Sequence, residues 1–314
     1  MKRCYLIGGG GFIGCHLAAL LSRTGRRVTI VGRTPVTGEV PAGVSFICAD
    51  YGEERISRII AKDADEIVLL AYGTVPKTSY DDPILDITEN LPPAVRLFEM
   101  AASTKVERLV FVSSGGTVYG RAERVPLGEH HPTDPISPYG ITKLAIEKYA
   151  MMYYHSKGVP VICVRPGNAY GEGQQPFAGQ GFVATAIASV LARKEIPVFG
   201  EQGAVRDYLH VSDVAGGIAA VLDRGAIGTT YNVGTGIGRN NIEVLNAIAP
   251  FAADAHLEVS VRFFPDRSFD VPFNILDSTK LKADTGWSPV LTFEEGIRRT
   301  WDWFRENRIR FGLP

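Results

Sequence analysis

Short apolar, β-branched runs alternate with longer stretches of helical periodicity through the first half of the chain. Residues 3–7, 27–31, 44–48, 66–72, 108–113 and 160–165 read as strands bounded by turn residues. Between them, residues 12–23, 53–61, 84–102 and 138–156 carry helical spacing. Several strands are apolar without alternation, the pattern of strands covered by helices on both faces. This order predicts right-handed βαβ units and an α/β fold: a Rossmann-type doubly wound parallel sheet. The second half is more broken, with polar, turn-rich segments at 171–181 and 266–272. No repeat, low-complexity tract or clean linker divides the chain. The expected organisation is a first domain over residues 1–170, to which segments near 205–235 return. A smaller C-terminal α/β domain takes most of 171–314, and the cleft between the two is the default ligand site.

Composition narrows the ligands. The formal net charge of -1 excludes a global field for nucleic acid or an anionic membrane, so a few placed cations must hold any anionic ligand. Cys4, Cys15, Cys48 and Cys163 show neither zinc-site pairing nor disulfide density, and read as free thiols of a cytoplasmic protein. Only Lys2 and Arg3 precede the first strand, and neither a signal peptide nor a membrane span fits. His130-His131 lacks partners at metal spacing, and no Ser/His/Asp set is visible, so no metal or hydrolase chemistry is expected.

Gly8, Gly11 and Gly14 form G-x-x-G-x-x-G between the first strand and the first helix. Such glycines allow a tight turn, backbone approach to a pyrophosphate, and close helix–strand packing. The helix N-terminus adds unpaired N–H groups and a positive dipole. A dinucleotide cofactor is therefore expected here. The acidic residue usual at the end of strand two is replaced by Gly32-Arg33. Arg33 is placed either to pair with a 2′-phosphate or to stack on adenine, which leaves NAD and NADP both open.

Tyr139 and Lys143 are four residues apart and share a helix face, with Ser137 as cap and Pro138 in the first turn. A phenol that must lose its proton near neutral pH gains from a nearby ammonium. Tyr153 and Lys157 repeat the spacing, but lie about 21 Å further along the helix and read as a surface or packing pair.

With these residues in place, the chain resembles the extended short-chain dehydrogenase/reductases, and among them the NAD-dependent epimerase/dehydratase family of the UDP-glucose 4-epimerase type. The resemblance runs from the Gly8 loop to the last helix near residues 301–306, through four further motifs. These are Ser113-Ser114-Gly115-Gly116-Thr117-Val118-Tyr119-Gly120, Arg165-Pro166-Gly167-Asn168-Ala169-Tyr170-Gly171, Arg206-Asp207-Tyr208-Leu209-His210-Val211 and Gly286-Trp287-Ser288-Pro289. It implies NAD held by the glycine loop with Phe12 and Ile13, by Asp50 and Tyr51 at the adenine, and by Ala71. Ser113, Pro166, Tyr139 and Lys143 complete that contact set. It implies a UDP- or dTDP-sugar held by Asn168, by Val198 and Phe199 at the base, and by Arg206 and Arg267 at the diphosphate, where two guanidinium forks suit the charge.

The catalytic Ser/Thr of the family falls on Gly115, so Thr117 or Ser114 must stand in for it, with Thr117 favoured. Gly115-Gly116 also lacks the Asp-Glu pair of sugar 4,6-dehydratases. Asn274 matches the position that gates the hexose 2-substituent, and its small size implies that N-acetylhexosamines are accepted. The implied activity is C4 epimerisation through a transient 4-keto sugar, by a homodimer formed through the helices near 84–102 and 138–156. An NADPH-dependent reductase of NDP-4-keto-6-deoxy sugars is the rival, and a non-catalytic cofactor-binding protein a more distant one.

Overall fold

The computed structural model describes residues 1–34, 42–265 and 271–313. Its first half runs β1 (Arg3–Ile7), α1 (Phe12–Arg23), β2 (Arg27–Gly32), β3 (Ser45–Cys48), α2 (Glu54–Asp63), β4 (Glu66–Leu69), α3 (Pro76–Asp81), α4 (Pro83–Ala101), β5 (Arg108–Val112), α5 (Pro138–Lys157) and β6 (Val161–Pro166). The second half continues with β7 (Asn168–Tyr170), α6 (Phe182–Leu191), β8 (Ile196–Phe199), β9 (Val205–His210), α7 (Val211–Arg224), β10 (Thr229–Val233) and β11 (Gly238–Arg239). It ends with α8 (Asn241–Asp254), β12 (Val261–Phe264), β13 (Phe273–Asn274), α9 (Thr279–Thr285) and α10 (Phe293–Glu306).

Seven strands form one sheet in the order β10-β6-β5-β4-β1-β2-β3, and every neighbouring pair is parallel. This is the expected doubly wound Rossmann-type sheet. Leu6, Ile30, Val68, Val110 and Ile162 pack under α1 and α7 on one face. Ile7, Val31, Ile67, Leu109 and Val161 pack under α2, α4 and α5 on the other. The apolar runs without alternation are the strands buried on both sides.

The expected strand over 66–72 ends early, at Leu69. The amides of Leu70 and Ala71 both bond the Ile7 carbonyl at 2.8 Å, which turns the chain out of the sheet against Gly8. Helix α7 grows directly out of β9: it begins at Val211, with His210 as its cap.

The second half builds its own core from Tyr170, Val183, Ile187, Ile248, Ile297, Trp301 and Phe304. There β9 lies between β11 and β13 and also pairs β7, while β8 pairs β12. Among the described residues no helix is long and apolar enough to cross a membrane. Cys4, Cys15, Cys48 and Cys163 are all free.

Candidate active site

The glycine loop sits at the carboxyl end of β1, where doubly wound sheets bind ligands. Gly8 has φ of +80° and leaves no room for a side chain, because a Cβ would lie 2.4 Å from the Ala71 amide. At Gly14 a Cβ would lie 2.5 Å from the Gly9 backbone, so that glycine lets helix and turn touch. Gly11 differs. A Cβ there meets only the Gly8 carbonyl, at 3.4 Å. As N-cap of α1 it has no side chain covering the first turn, and no acidic residue lies in that turn. The first-turn N–H groups, flanked by exposed Gly11 and half-buried Phe12 and Ile13, have no side-chain cap, which suits a diphosphate. These residues fit a dinucleotide cofactor.

At the adenosine end, Asp50 bonds the Gly52 amide at 2.8 Å, and Tyr51 packs beside Ala71 against the core. Arg33 is not an open cation. It donates to Glu89 at 2.9 Å and lies 4.0 Å from Asp50. A 2′-phosphate would have to displace these carboxylates, so the geometry favours the unphosphorylated cofactor.

Tyr139 and Lys143 stand on the first turns of α5, where the Ser137 hydroxyl accepts the Gly140 amide at 3.1 Å. Lys143 is buried, donates to the Val112 carbonyl at the end of β5 at 2.8 Å, and lies over the Tyr72 ring at 4.1 Å. Burial pulls its ammonium down to about 7, against the opposing charges of Glu147 and Asp86. Tyr139 meets Tyr72 edge to face at 4.8 Å, and its phenol is pushed up, first by burial and then by the Asp86 charge. Tyr153 is buried with the Lys157 ammonium 5.4 Å over its ring, which makes that pair a packing contact.

Opposite, the segment after β5 supplies hydroxyls. Ser113 Oγ and Thr117 Oγ1 are both enclosed, with no hydrogen-bond partner among the described residues. The Thr117 carbonyl lies 2.9 Å from the place a Cβ would take on Gly140, beside Tyr139. Ser114 is half-buried, and its carbonyl accepts the Thr117 and Val118 amides. Gly115 has no room for a replacement: a Cβ would meet Leu276 Cδ1 at 2.5 Å and the Arg165 carbonyl at 2.9 Å.

The remaining expected contacts lie at the end of β6 and in the second half. Pro166 ends β6, and Asn168 opens β7 with its Oδ1 3.3 Å from the Cβ place on Gly116. Asn274 pairs in register with Arg206. Its Nδ2 donates to the Gly115 carbonyl at 2.9 Å, while its buried Oδ1 has no partner. Val198 is buried and Phe199 stacks on Phe264 at 5.4 Å, beside a cavity of about 520 Å³ that Gly200, Phe263 and Pro265 help to line. Arg267 lies outside the described residues. Among those described, no group of His, Cys, Asp or Glu could hold a metal ion.

Three features at the site escape a linear reading. Tyr72 packs on both Tyr139 and Lys143. Asp86 is buried behind it. Buried Asp207 gathers the amides of Thr235, Gly236 and Leu276, which ties β9 to the loops on either side of the cleft. The Asp207 motif was visible in the sequence, but its partners are at least 28 positions away.

The sequence profile of the NAD dependent epimerase/dehydratase family matches residues 4–234. Among relatives, a UDP-glucose 4-epimerase of Mycolicibacterium smegmatis is 33% identical over 311 residues, covering 96% of this chain and 98% of that protein. A dTDP-glucose 4,6-dehydratase of Xanthomonas campestris is 30% identical, covering 98% of this chain and 94% of its own. The crystal structure of the Thermus thermophilus UDP-glucose 4-epimerase complex with NAD superposes with a TM-score of 0.88 at 35% identity, covering 96% of this chain and 99% of the other. With most of its length matched, the chain belongs to the NAD dependent epimerase/dehydratase family, and NAD is its cofactor.

Proposed function

We propose that the protein inverts C4 of UDP-hexoses of the glucose/galactose type, passing through a 4-keto sugar. One observation carries this reading. Tyr139 and Lys143 stand at the carboxyl end of β5, facing a segment that offers hydroxyls but no acid or base at Gly115-Gly116. Elimination of water from the sugar needs both, so the geometry favours epimerisation over dehydration.

NAD, when bound, supplies a hydride acceptor for C4 and a positive charge beside the phenol. Tyr139 Oη takes the proton of the 4-hydroxyl, and the Lys143 ammonium stabilises the resulting phenolate. Thr117 Oγ1, enclosed and unpartnered, is the hydroxyl proposed to bond the 4-oxygen in place of a residue at 115. Ser114, half-buried, is the weaker candidate. When the keto sugar has turned over in the cleft, Tyr139 returns its proton to the 4-oxygen. The sugar must be free to turn, so binding rests on the nucleotide: Arg206 and Arg267 at the diphosphate, Val198 and Phe199 at the base. Asn274 leaves space at the sugar 2-position, which extends the proposal to UDP-N-acetylhexosamines.

Net reduction of a 4-keto-6-deoxy sugar by NADPH is not favoured by any observation, since its support, Arg33, is engaged by Glu89 and Asp50. A cofactor-binding protein without catalysis fits poorly with a lysine buried beside the phenol. We also propose a homodimer in the cytoplasm. Ile84 and Ile87 on α4, with Ile141, Tyr149 and Met152 on α5, are exposed at helical spacing on two helices that pack together. The test is to incubate purified protein with UDP-glucose, UDP-N-acetylglucosamine and UDP-glucuronate, without added cofactor, and follow C4 by NMR. Inversion is expected. No inversion, with stoichiometric consumption of NADPH in a separate incubation with an NDP-4-keto-6-deoxy sugar, would replace the proposal with the reductase.

A further inference from the structure

Asp86, on α4, is a fully buried carboxylate that the proposed reaction does not use. Its Oδ1 accepts the Thr74 hydroxyl, and Tyr72 Oη lies 3.5 Å from its Oδ2. One turn along α4, Asn90 accepts the Gly73 amide at 2.7 Å and donates to the Asp86 carbonyl at 2.7 Å. Tyr72, Gly73 and Thr74 are thus fastened to α4 by their polar atoms. Lys143 Nζ stands 4.1 Å from the centre of the same Tyr72 ring, and Tyr139 packs 4.8 Å from it. A single tyrosine bridges a buried carboxylate and a buried ammonium.

Among the described residues neither charge has an ion pair of its own, and burying an uncompensated charge is costly. Glu147 opposes loss of the Lys143 proton more strongly than Asp86 does, but it and the other charged groups nearby have partners of their own. On α5, Glu147 is gripped by Arg165 through Nε at 3.0 Å and Nη2 at 2.6 Å. On α4, Glu89 is paired with Arg33 and Arg96 donates to the Gly52 carbonyl. On α2, Glu54 is paired with Arg58. At α3, Asp82 caps α4 through the Leu85 amide, and the Lys77 side chain lies against Gly179.

We propose that Asp86 is the counter-ion of Lys143 and, by its charge acting across the Tyr72 ring, sets the pH range in which the Tyr139–Lys143 pair works. Asp86 is then a positioning residue, and the inference rests on reading Tyr139 and Lys143 as the redox pair. The charge that opposes loss of the ammonium proton also opposes loss of the phenol proton, so both ionisations respond to Asp86 in the same direction. Removing one negative charge makes every nearby proton easier to lose.

The test is Asp86→Asn, which keeps the side chain's shape and removes its charge. The NAD-loaded full-length protein, with 13C-labelled lysine, is titrated by NMR, and the Lys143 signal is assigned by its loss in Lys143→Arg. Lys143 is expected to titrate lower in Asp86→Asn by on the order of one pH unit. Tyr72→Phe, which keeps both charges and the ring, is expected to leave the titration near the wild-type value. The pH profile of C4 inversion should move in the same direction in Asp86→Asn. An unchanged Lys143 titration in folded Asp86→Asn overturns the proposal.

If Asp86→Asn does not fold, the Lys143→Met background decides. There, removal of the second charge should raise the melting temperature above that of Lys143→Met alone, and a further drop overturns the pairing. The lysine titration needs no sugar. A shifted titration without inversion of any nucleotide sugar would sink the functional reading and leave Asp86 standing, and inversion with an unmoved titration would do the reverse.

Discussion

Leu276 fills the space that a side chain at Gly115 would need. A Cβ at position 115 would lie 2.5 Å from Leu276 Cδ1, and Leu276 is itself fully buried with Val118, Tyr119 and Leu127. The backbone of this segment is therefore packed by an apolar side chain at the position where the resembled family carries a hydroxyl. Restoring that hydroxyl costs stability. Gly115→Ser is expected to destabilise the protein by about 1–3 kcal/mol, as overpacking does. Chemical denaturation checks it. Pairing with Leu276→Ala should reduce the cost of the serine, and a serine as stable as wild type would show that the leucine yields freely.

Thr117→Val separates chemistry from stability. An enclosed hydroxyl with no partner carries a desolvation penalty that a methyl group does not. The variant should therefore be at least as stable as wild type, while kcat falls by about 10²-fold. Ser114→Ala should leave kcat near wild type. The opposite ranking in steady-state assays would transfer the role to Ser114.

Tyr139→Phe tests the proton transfer itself. Turnover should drop by about 10²–10⁴-fold, with NAD binding retained by calorimetry. Retained turnover would remove Tyr139 from the mechanism.

Gly8 and Gly11 should respond differently to the same substitution. Gly8→Ala must place a side chain at φ +80° and 2.4 Å from the Ala71 amide, so the folded protein should be lost or badly destabilised. Gly11→Ala meets only the Gly8 carbonyl, at 3.4 Å, and should fold. Its methyl group intrudes on the diphosphate, so NAD affinity should fall by about tenfold or more in a direct titration. An unchanged affinity would place the diphosphate elsewhere.

Glu172 makes acid sensitivity readable. Burial alone would raise its carboxyl, but the His210 and Arg299 side chains against it hold it at about 2. His210 Nε2 lies 2.9 Å and Arg299 Nε 3.0 Å from its oxygens. A carboxyl depressed in the folded state contributes stability above its unfolded value, and that contribution is lost as pH falls through the folded one. Glu172→Gln should thus be less stable than wild type at pH 7, by an order-of-magnitude figure of about 3 kcal/mol. The gap should close as pH drops from about 4.5 towards 2. Parallel urea curves at the two ends of that range check the sign.

What could be read from the sequence is what local pattern decides. The first-half strands announce themselves as apolar runs, and Gly8, Gly11 and Gly14 announce their turn by spacing. Tyr139 and Lys143 stand out because four residues bring them to one helix face. The pairs β11–β9 and β13–β9 could not be read, since Gly238-Arg239 and Phe273-Asn274 carry no periodicity and become strands only by pairing across long separations. Arg33 looked available for a 2′-phosphate because Glu89, which engages it, lies 56 positions away. Asp86 was passed over for a related reason. A carboxylate in the first turn of a helix is ordinarily solvated there, and only the folded packing of Tyr72 and Thr74 encloses it.

The return of β10 to the parallel sheet governs how the chain can be divided. β10 covers the outer edge of β6, with Thr229 to Val233 aligned on Ile162 to Pro166. A fragment ending after Tyr170 would contain every glycine of the cofactor loop and the whole Tyr139–Lys143 helix, yet it would leave β6 as a bare edge of apolar backbone. Such an edge recruits strands from other copies. The fragment would therefore exchange an end strand that begins with half-buried Thr229-Thr230 for one that is buried throughout, and should aggregate.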